Sequence, residues 1–358
     1  MTTAGQQTSP RGDKRRLLVA VLLIVFGRST LSVAAANLSE MTGFGSNPGN
    51  LRMWTYIPEG LKPNAPLVVA LHGCSQSAAD YDDETGWVQY ADHLGFALLL
   101  PEQKPGFWFG NHPLGCFNWY YRGDQRRDGG EVLSIIQMID ALVLRYGSDP
   151  SRVYVTGLSA GGAMTATLLA TYPERFAGGA IIAGVPFGCS RVPDYVPQWA
   201  VPYWSTLLRY NNPLRCLNPG VDLSPRQWGA RARHAAEPDA AAWPPVSIWQ
   251  GMGDHVVAPA NARELTEQWT SVHGLDPERF RQEHINGHLR RIYADGSGSS
   301  LVELYLIRGM GHGTPIAPPA QDAEAPVLTR CGIPSEFAIP AGICASHYIA
   351  RHWGLTNP

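Results

Sequence analysis

The pentapeptide Gly157-Leu158-Ser159-Ala160-Gly161 constrains this chain more than any other stretch, because of what lies on either side of it. Residues 152–156 read as a short buried strand and residues 163–172 as a helix. A chain that reverses from strand to helix in so few residues has no room for a Cβ at the two glycines. It also holds the central serine in a strained turn. The serine oxygen then emerges at the carboxyl end of a sheet, with a helix N-terminus aimed at any negative charge that develops there. A glycine-rich turn with a capping serine would look the same in isolation. Set between strand and helix, the pentapeptide reads as a nucleophile.

Hydrophobic periodicity extends the pattern. Strands are predicted at 51–57, 67–71, 96–100, 180–183, 246–250 and 301–307, and helices at 131–146, 262–273 and 345–353. In the first of these helices Val132, Ile135, Ile136, Ile139, Leu142 and Val143 recur at helical spacing. Strands alternating with helices imply an α/β fold whose mostly parallel sheet is covered on both faces. Residues 184–245 break the rhythm, with ten of the 29 prolines and with Trp199, Trp204, Trp228 and Trp243. Proline at that density discourages long regular elements. The segment reads as an irregular cap-like insertion, or equally as a surface excursion.

Residues 1–36 read as a secretory signal: Arg11, Lys14, Arg15 and Arg16, then an apolar run at 17–26, then Ala34-Ala35-Ala36. The run is too short to span a bilayer, so no stable membrane association is expected after cleavage. Residues 37–358 are then a single catalytic domain in the extracellular or periplasmic space. Removing five basic residues and one acidic residue with the signal takes the formal charge from −2 to −6. Nothing in that balance offers a basic surface to nucleic acid.

Cys74, Cys116, Cys189, Cys216, Cys331 and Cys344 all follow the signal. An even number in an exported chain favours disulfides, here expected neighbour with neighbour as 74–116, 189–216 and 331–344. The chain has no Cys-x-x-Cys pair and no His-Glu-x-x-His helix, so neither a metal nor another cofactor is expected.

A serine nucleophile needs a base, an acid to orient it, and donors for an oxyanion. Asp254 follows the strand at 246–250 through Gly251-Met252-Gly253, and His312 follows the strand at 301–307 inside Gly309-Met310-Gly311-His312-Gly313. Glycine-rich turns at strand ends let both side chains face the sheet's carboxyl edge. His255, His284 and His288, and the acids Asp239 and Asp276, lack that setting. One oxyanion donor is expected at the Ala160 amide, directly after the nucleophile. The other is expected at the Cys74 amide in the His72-Gly73-Cys74 loop. A 74–116 disulfide would keep that loop rigid and bring Asn118 and Trp119 close to the serine, to contact substrate or to pack beneath it.

Several segments together resemble the esterases of the poly(3-hydroxybutyrate) depolymerase family, in the extracellular type 1 arrangement. They are Leu71-His72-Gly73-Cys74-Ser75-Gln76, Cys116-Phe117-Asn118-Trp119, 157–164, 216–222, 247–254, Gly309-Met310-Gly311-His312 and 349–354. The resemblance implies an α/β-hydrolase fold with Ser159, Asp254 and His312 as the triad. It also implies an ester substrate, either a short-chain polyhydroxyalkanoate or its oligomers. Relatives in the same family cleave feruloyl and acetyl groups from xylan, which is the alternative. A further alternative is a non-catalytic surface-binding protein on the same fold. Gln250 stands where the family commonly has histidine, and Tyr120 where it commonly has phenylalanine.

Overall fold

The computed structural model describes residues 37–106, 112–190, 213–218, 220–236, 242–319 and 329–356. The expected signal, together with Trp199, Trp204 and Asp239, lies outside these residues.

Runs such as Leu67-Val68-Val69-Ala70-Leu71 carry apolar side chains on both faces, so they are stable only between two layers of helices. They form the centre of a ten-stranded sheet. Its strands are β1 (Ser39–Met41), β2 (Arg52–Tyr56), β3 (Leu67–Leu71), β4 (Ala97–Glu102), β5 (Val153–Leu158), β6 (Gly178–Ile182), β7 (Val246–Gly251), β8 (Arg281–Ile285), β9 (His288–Ala294) and β10 (Ser300–Ile307). The spatial order is β1-β2-β4-β3-β5-β6-β7-β10-β9-β8. Six strands from β4 to β10 run parallel. Antiparallel strands close both edges. A small parallel pair, β11 (Thr314–Ile316) and β12 (Ala338–Pro340), stands apart from the main sheet.

The helices are α1 (Ala78–Tyr81), α2 (Trp87–Leu94), α3 (Gly130–Tyr146), α4 (Ala160–Thr171), α5 (Pro213–Leu217), α6 (Pro225–Ala235), α7 (Ala260–Val272) and α8 (Ala345–His352). Alternation along the strands sorts the core into two layers. Leu67, Val69 and Leu71 pack with α3, α4 and α7, whereas Val68 and Ala70 pack with α2 and α8. All twelve residues of α4 are buried, and its threonine hydroxyls have no water to bond. Thr165, Thr167 and Thr171 donate instead to the carbonyls of Gly161, Ala163 and Thr167.

From β3 the chain moves outward to β4, then crosses back to β5 on the other side of β3. Connections leaving in opposite directions open a crevice at the carboxyl ends of β3 and β5, where open α/β sheets take their ligands. The loop after β3 is the His72-Gly73-Cys74 segment, and the turn after β5 holds Ser159.

The elements expected from sequence form with ends moved by a few residues. β4 runs through Pro101 because pairing with β3 has ended at Leu99, and Pro101 faces only β2, opposite Met53. Within 184–245 the expectation of irregularity needs correcting. The eleven-residue α6 forms there because Ser224 and Gln227 make a capping box, and Pro225 takes a first-turn position where its missing N–H costs nothing. Trp228 of α6 is fully buried and donates to Glu264 of α7 (2.7 Å), which fixes this helix to the flank of the sheet.

Candidate active site

Ser159 has φ 57° and ψ −116°, a conformation that a non-glycine residue holds only when its surroundings impose it. Those surroundings are visible on both sides. The Ser159 amide donates to Ile182 at the end of β6 (2.9 Å), and the Ser159 carbonyl accepts from Ala163 in the first turn of α4 (2.9 Å). A Cβ at Gly161 would run into the carbonyl oxygen of Leu71, and one at Gly157 into the carbonyl oxygen of Gly161. The two glycines therefore let α4 start against the end of β3, as the sequence required.

The end of β3 and the start of α4 bring the Cys74 and Ala160 amides to one edge. Among the described residues neither amide has a hydrogen-bond acceptor. The loop itself is tightly held. The Gly73 amide donates to Gln76 Oε1 (2.9 Å), and the Gln103 amide donates to His72 Nε2 (3.1 Å). With Nε2 accepting, the His72 proton sits on Nδ1 and bonds the Gly73 carbonyl (2.7 Å). Burial lowers the basicity of His72, against the opposing pull of that carbonyl. The imidazole is a neutral brace.

Cysteines pair as 74–116, 189–216 and 331–344, the neighbour-with-neighbour arrangement expected. The first bridge ties the His72-Gly73-Cys74 loop to the segment that carries Asn118 and Trp119. Both of these residues are buried. Asn118 is bound to Glu131, its backbone amide to Oε2 (2.8 Å) and its Nδ2 to Oε1 (2.9 Å). Trp119 packs edge-on to Tyr120 with ring centroids 5.4 Å apart.

Asp254 and His312 come from loops after β7 and β10, neighbouring strands in register up to Gly251 and Ile307. The glycines act at close range. A Cβ at Gly251 would strike the carbonyl oxygens of Gly311 and Met310, and the Gly253 amide donates to Met310 (2.8 Å). His312 Nδ1 lies 2.7 Å from Asp254 Oδ2. The amides of Val256 (2.8 Å) and Val257 (2.9 Å) donate to Asp254 Oδ1, and Gln250 Nε2 donates to Oδ2 (3.1 Å). Burial pushes the Asp254 carboxyl up. The His312 hydrogen bond and charge, with the Val257 and Val256 amides, outweigh it and hold the group below the usual aspartate range. The arrangement holds an ionised carboxylate on the imidazole, which fixes the proton on Nδ1 and leaves Nε2 to accept.

The competing residues lie elsewhere. His255 and His284 are exposed, as is Asp276. His288 is spent on backbone, with Nε2 on the Ala341 carbonyl (2.7 Å) and Nδ1 accepting from the Arg308 amide (3.1 Å). Sequence reasoning missed Gln250 as a partner of Asp254, and it missed the buried carboxylate of Glu131. The only signal for Glu131 was its place in the first turn of α3, where an acidic residue is ordinary. Among the described residues no cluster of three metal-ligating side chains forms. No described helix is long and apolar enough to cross a membrane.

Residues 51–193 match the family model described as esterase PHB depolymerase. The chain is 39% identical to poly(3-hydroxyalkanoate) depolymerase C of Paucimonas lemoignei, over 95% of this chain and 75% of that protein. It is 33% identical to feruloyl esterase B of Neurospora crassa, over 78% of this chain and 89% of that protein. Among solved structures it is similar to the acetyl xylan esterase of Aspergillus awamori. That similarity has a TM-score of 0.64 and 28% identity, covering 77% of this chain and 94% of that one.

Proposed function

The chain belongs to the poly(3-hydroxybutyrate) depolymerase family of esterases, and we propose that it is an exported serine esterase cleaving short-chain polyhydroxyalkanoate or its oligomers through an acyl-enzyme. The observation that carries the chemistry is the 2.7 Å Asp254–His312 bond on the sheet edge where the strained Ser159 turn also emerges. Ser159 Oγ attacks the ester carbonyl while His312 Nε2 takes its proton. The same proton then passes to the departing alcohol, and water repeats the cycle on the acyl-enzyme. Asp254 keeps the Nδ1 proton in place and stabilises the imidazolium. The Cys74 and Ala160 amides receive the oxyanion. Asn118 and Trp119 serve by packing under the loop that Cys116 anchors, and any substrate contact they make is secondary.

Three disulfides among the described residues support an oxidising compartment and hence export. We take residues 37–358 as one catalytic domain, with 184–245 inserted between β6 and β7. The substrate choice rests on the similarity to the Paucimonas enzyme along almost the whole chain. The likeness to the acetyl xylan esterase structure supports a second reading, a feruloyl or acetylxylan esterase. Supplying amorphous poly(3-hydroxybutyrate) and methyl ferulate to the purified enzyme separates the two. Release of 3-hydroxybutyrate is expected, and ferulate release without polymer clearing would establish the second reading. Ser159→Ala should abolish hydrolysis of p-nitrophenyl butyrate.

A further inference from the structure

The segment after β4 and the Cys116 segment both end on one carboxylate, that of Glu131 at the start of α3. Gln103 Nε2 donates to Glu131 Oε1, and Asn118 donates through its side chain to Oε1 and through its backbone to Oε2. Each donor leads back to the proposed oxyanion loop by a short path, through a hydrogen bond to His72 for Gln103 and through the disulfide for Asn118. The backbone amide of Gln103 holds His72 Nε2 at 3.1 Å. Asn118 lies two residues after Cys116, which is bonded to Cys74. The Cys74 amide is thus braced on one side through His72 and Gln103, on the other through Cys116 and Asn118, and both braces meet at Glu131.

Glu131 is completely buried. Among the described residues its partners are amides and not a cation. Gly49 seals it, since a Cβ there would meet the Glu131 Cα at 2.5 Å. An unpaired buried carboxylate is costly. Burial, then the nearby Asp124 charge, push this carboxyl well above the usual glutamate range, against the pull of the Asn118 and Gln103 bonds. The two carboxyl oxygens accept from all three groups at once, whereas an amide of the same shape would turn an N–H toward Asn118 or Gln103 and leave two buried donors facing each other. We propose that Glu131 is a positioning residue that sets the place of the Cys74 amide for the oxyanion, acting through Gln103 and Asn118 without touching substrate. This rests on the reading of Ser159 as nucleophile and Cys74 as oxyanion donor.

The test uses Glu131→Gln in the full chain, with p-nitrophenyl butyrate as substrate. Turnover is counted per active site titrated with a fluorophosphonate, and affinity for butylboronic acid, which forms a tetrahedral serine adduct, is measured in parallel. A displaced donor should lower kcat about 10–100-fold and weaken boronate binding by a similar factor, with KM changed less than about twofold. Gln103→Met cuts a single brace and should lower both quantities about 3–10-fold, which keeps the proposal testable if Glu131→Gln does not fold. Variants that titrate fewer sites or melt earlier, yet keep wild-type kcat per site and boronate affinity, overturn the proposal and leave the esterase reading standing. A wild-type protein that neither hydrolyses the ester nor binds the boronate removes that reading, and the role of Glu131 with it.

Discussion

His312 Nδ1 and Asp254 Oδ2 are 2.7 Å apart, and the opposite oxygen of the same carboxylate is pinned by the Val256 and Val257 amides. That second fact decides what an isosteric change does. In Asp254→Asn the two backbone amides keep the side-chain oxygen, which turns the new NH2 toward His312. The imidazole must then carry its proton on Nε2, where it cannot take one from Ser159. Steady-state kinetics should show kcat lowered by about 10⁴-fold, the size of effect that a wrong tautomer produces. Circular dichroism should show the fold unchanged. Activity within tenfold of wild type would remove Asp254 from the proposed triad.

Asp82 gives a stability prediction of opposite sense to most carboxylates. Burial raises its carboxyl to about 7, with the Asp83 amide pulling the other way. The folded protein therefore holds this proton more tightly than the unfolded chain does. Its contribution to stability falls as pH rises from about 4, the unfolded value, to 7. Asp82→Asn keeps an oxygen for the Asp83 amide (2.5 Å) and removes the ionisation. Thermal melts should show the variant more stable than wild type by about 1–2 kcal/mol at pH 8, the shift discounted for screening by solvent. At pH 4 the two proteins should be equal. A gain of the same size at both pH values would show that charge is not the cause.

The Cys74–Cys116 and Cys189–Cys216 bridges close loops of 42 and 27 residues, so chain entropy assigns them similar weight in stability. Their placement differs, because only the first is attached to the proposed oxyanion loop. Replacing either pair by serine should cost about 2–4 kcal/mol in urea unfolding. Only Cys74→Ser with Cys116→Ser should also lower kcat per titrated site. Equal kcat losses from both pairs would mean that the first bridge has no special part in positioning Cys74.

What could be read from the sequence followed the strength of its signals. β3 is an unbroken apolar run and β4 to β7 are mostly apolar and buried at every position, and the elbow glycines are demanded by backbone contacts that any strand-to-helix reversal makes. The hairpin of β8 and β9 was overlooked although Asn286-Gly287 is a strong turn signal, with φ 50° and 83°. Its flanking residues, Arg281-Gln282-Glu283-His284 and His288-Leu289-Arg290-Arg291, show no hydrophobic alternation because the hairpin lies at an edge and is half exposed. Asp254 and His312 were legible because glycines mark their loops. Gln250 and Glu131 were not, since neither type nor spacing distinguishes a residue whose role is to hold a neighbour.

Gln250 therefore supplies the remaining prediction. Its Nε2 faces three acceptors: Asp254 Oδ2 (3.1 Å), the Val257 carbonyl (3.1 Å) and the Gly251 carbonyl (3.2 Å). With acceptors on every side the amide has one orientation, and it ties the end of β7 to the carboxylate that His312 uses. Gln250→Leu fits a similar volume and deletes the donor. A hydrogen bond to a charged group is worth about 1.5–3 kcal/mol, but the His312 contact on Oδ2 and the two backbone donors on Oδ1 still hold the carboxylate in place without it. The expected outcome is kcat lowered about 3–10-fold with KM within twofold, because substrate does not reach a buried residue behind Asp254. In the Asp254→Asn background the same change should have little further effect, since the carboxylate it serves is already gone. Additive losses in the double variant would show that Gln250 acts on the site by another route.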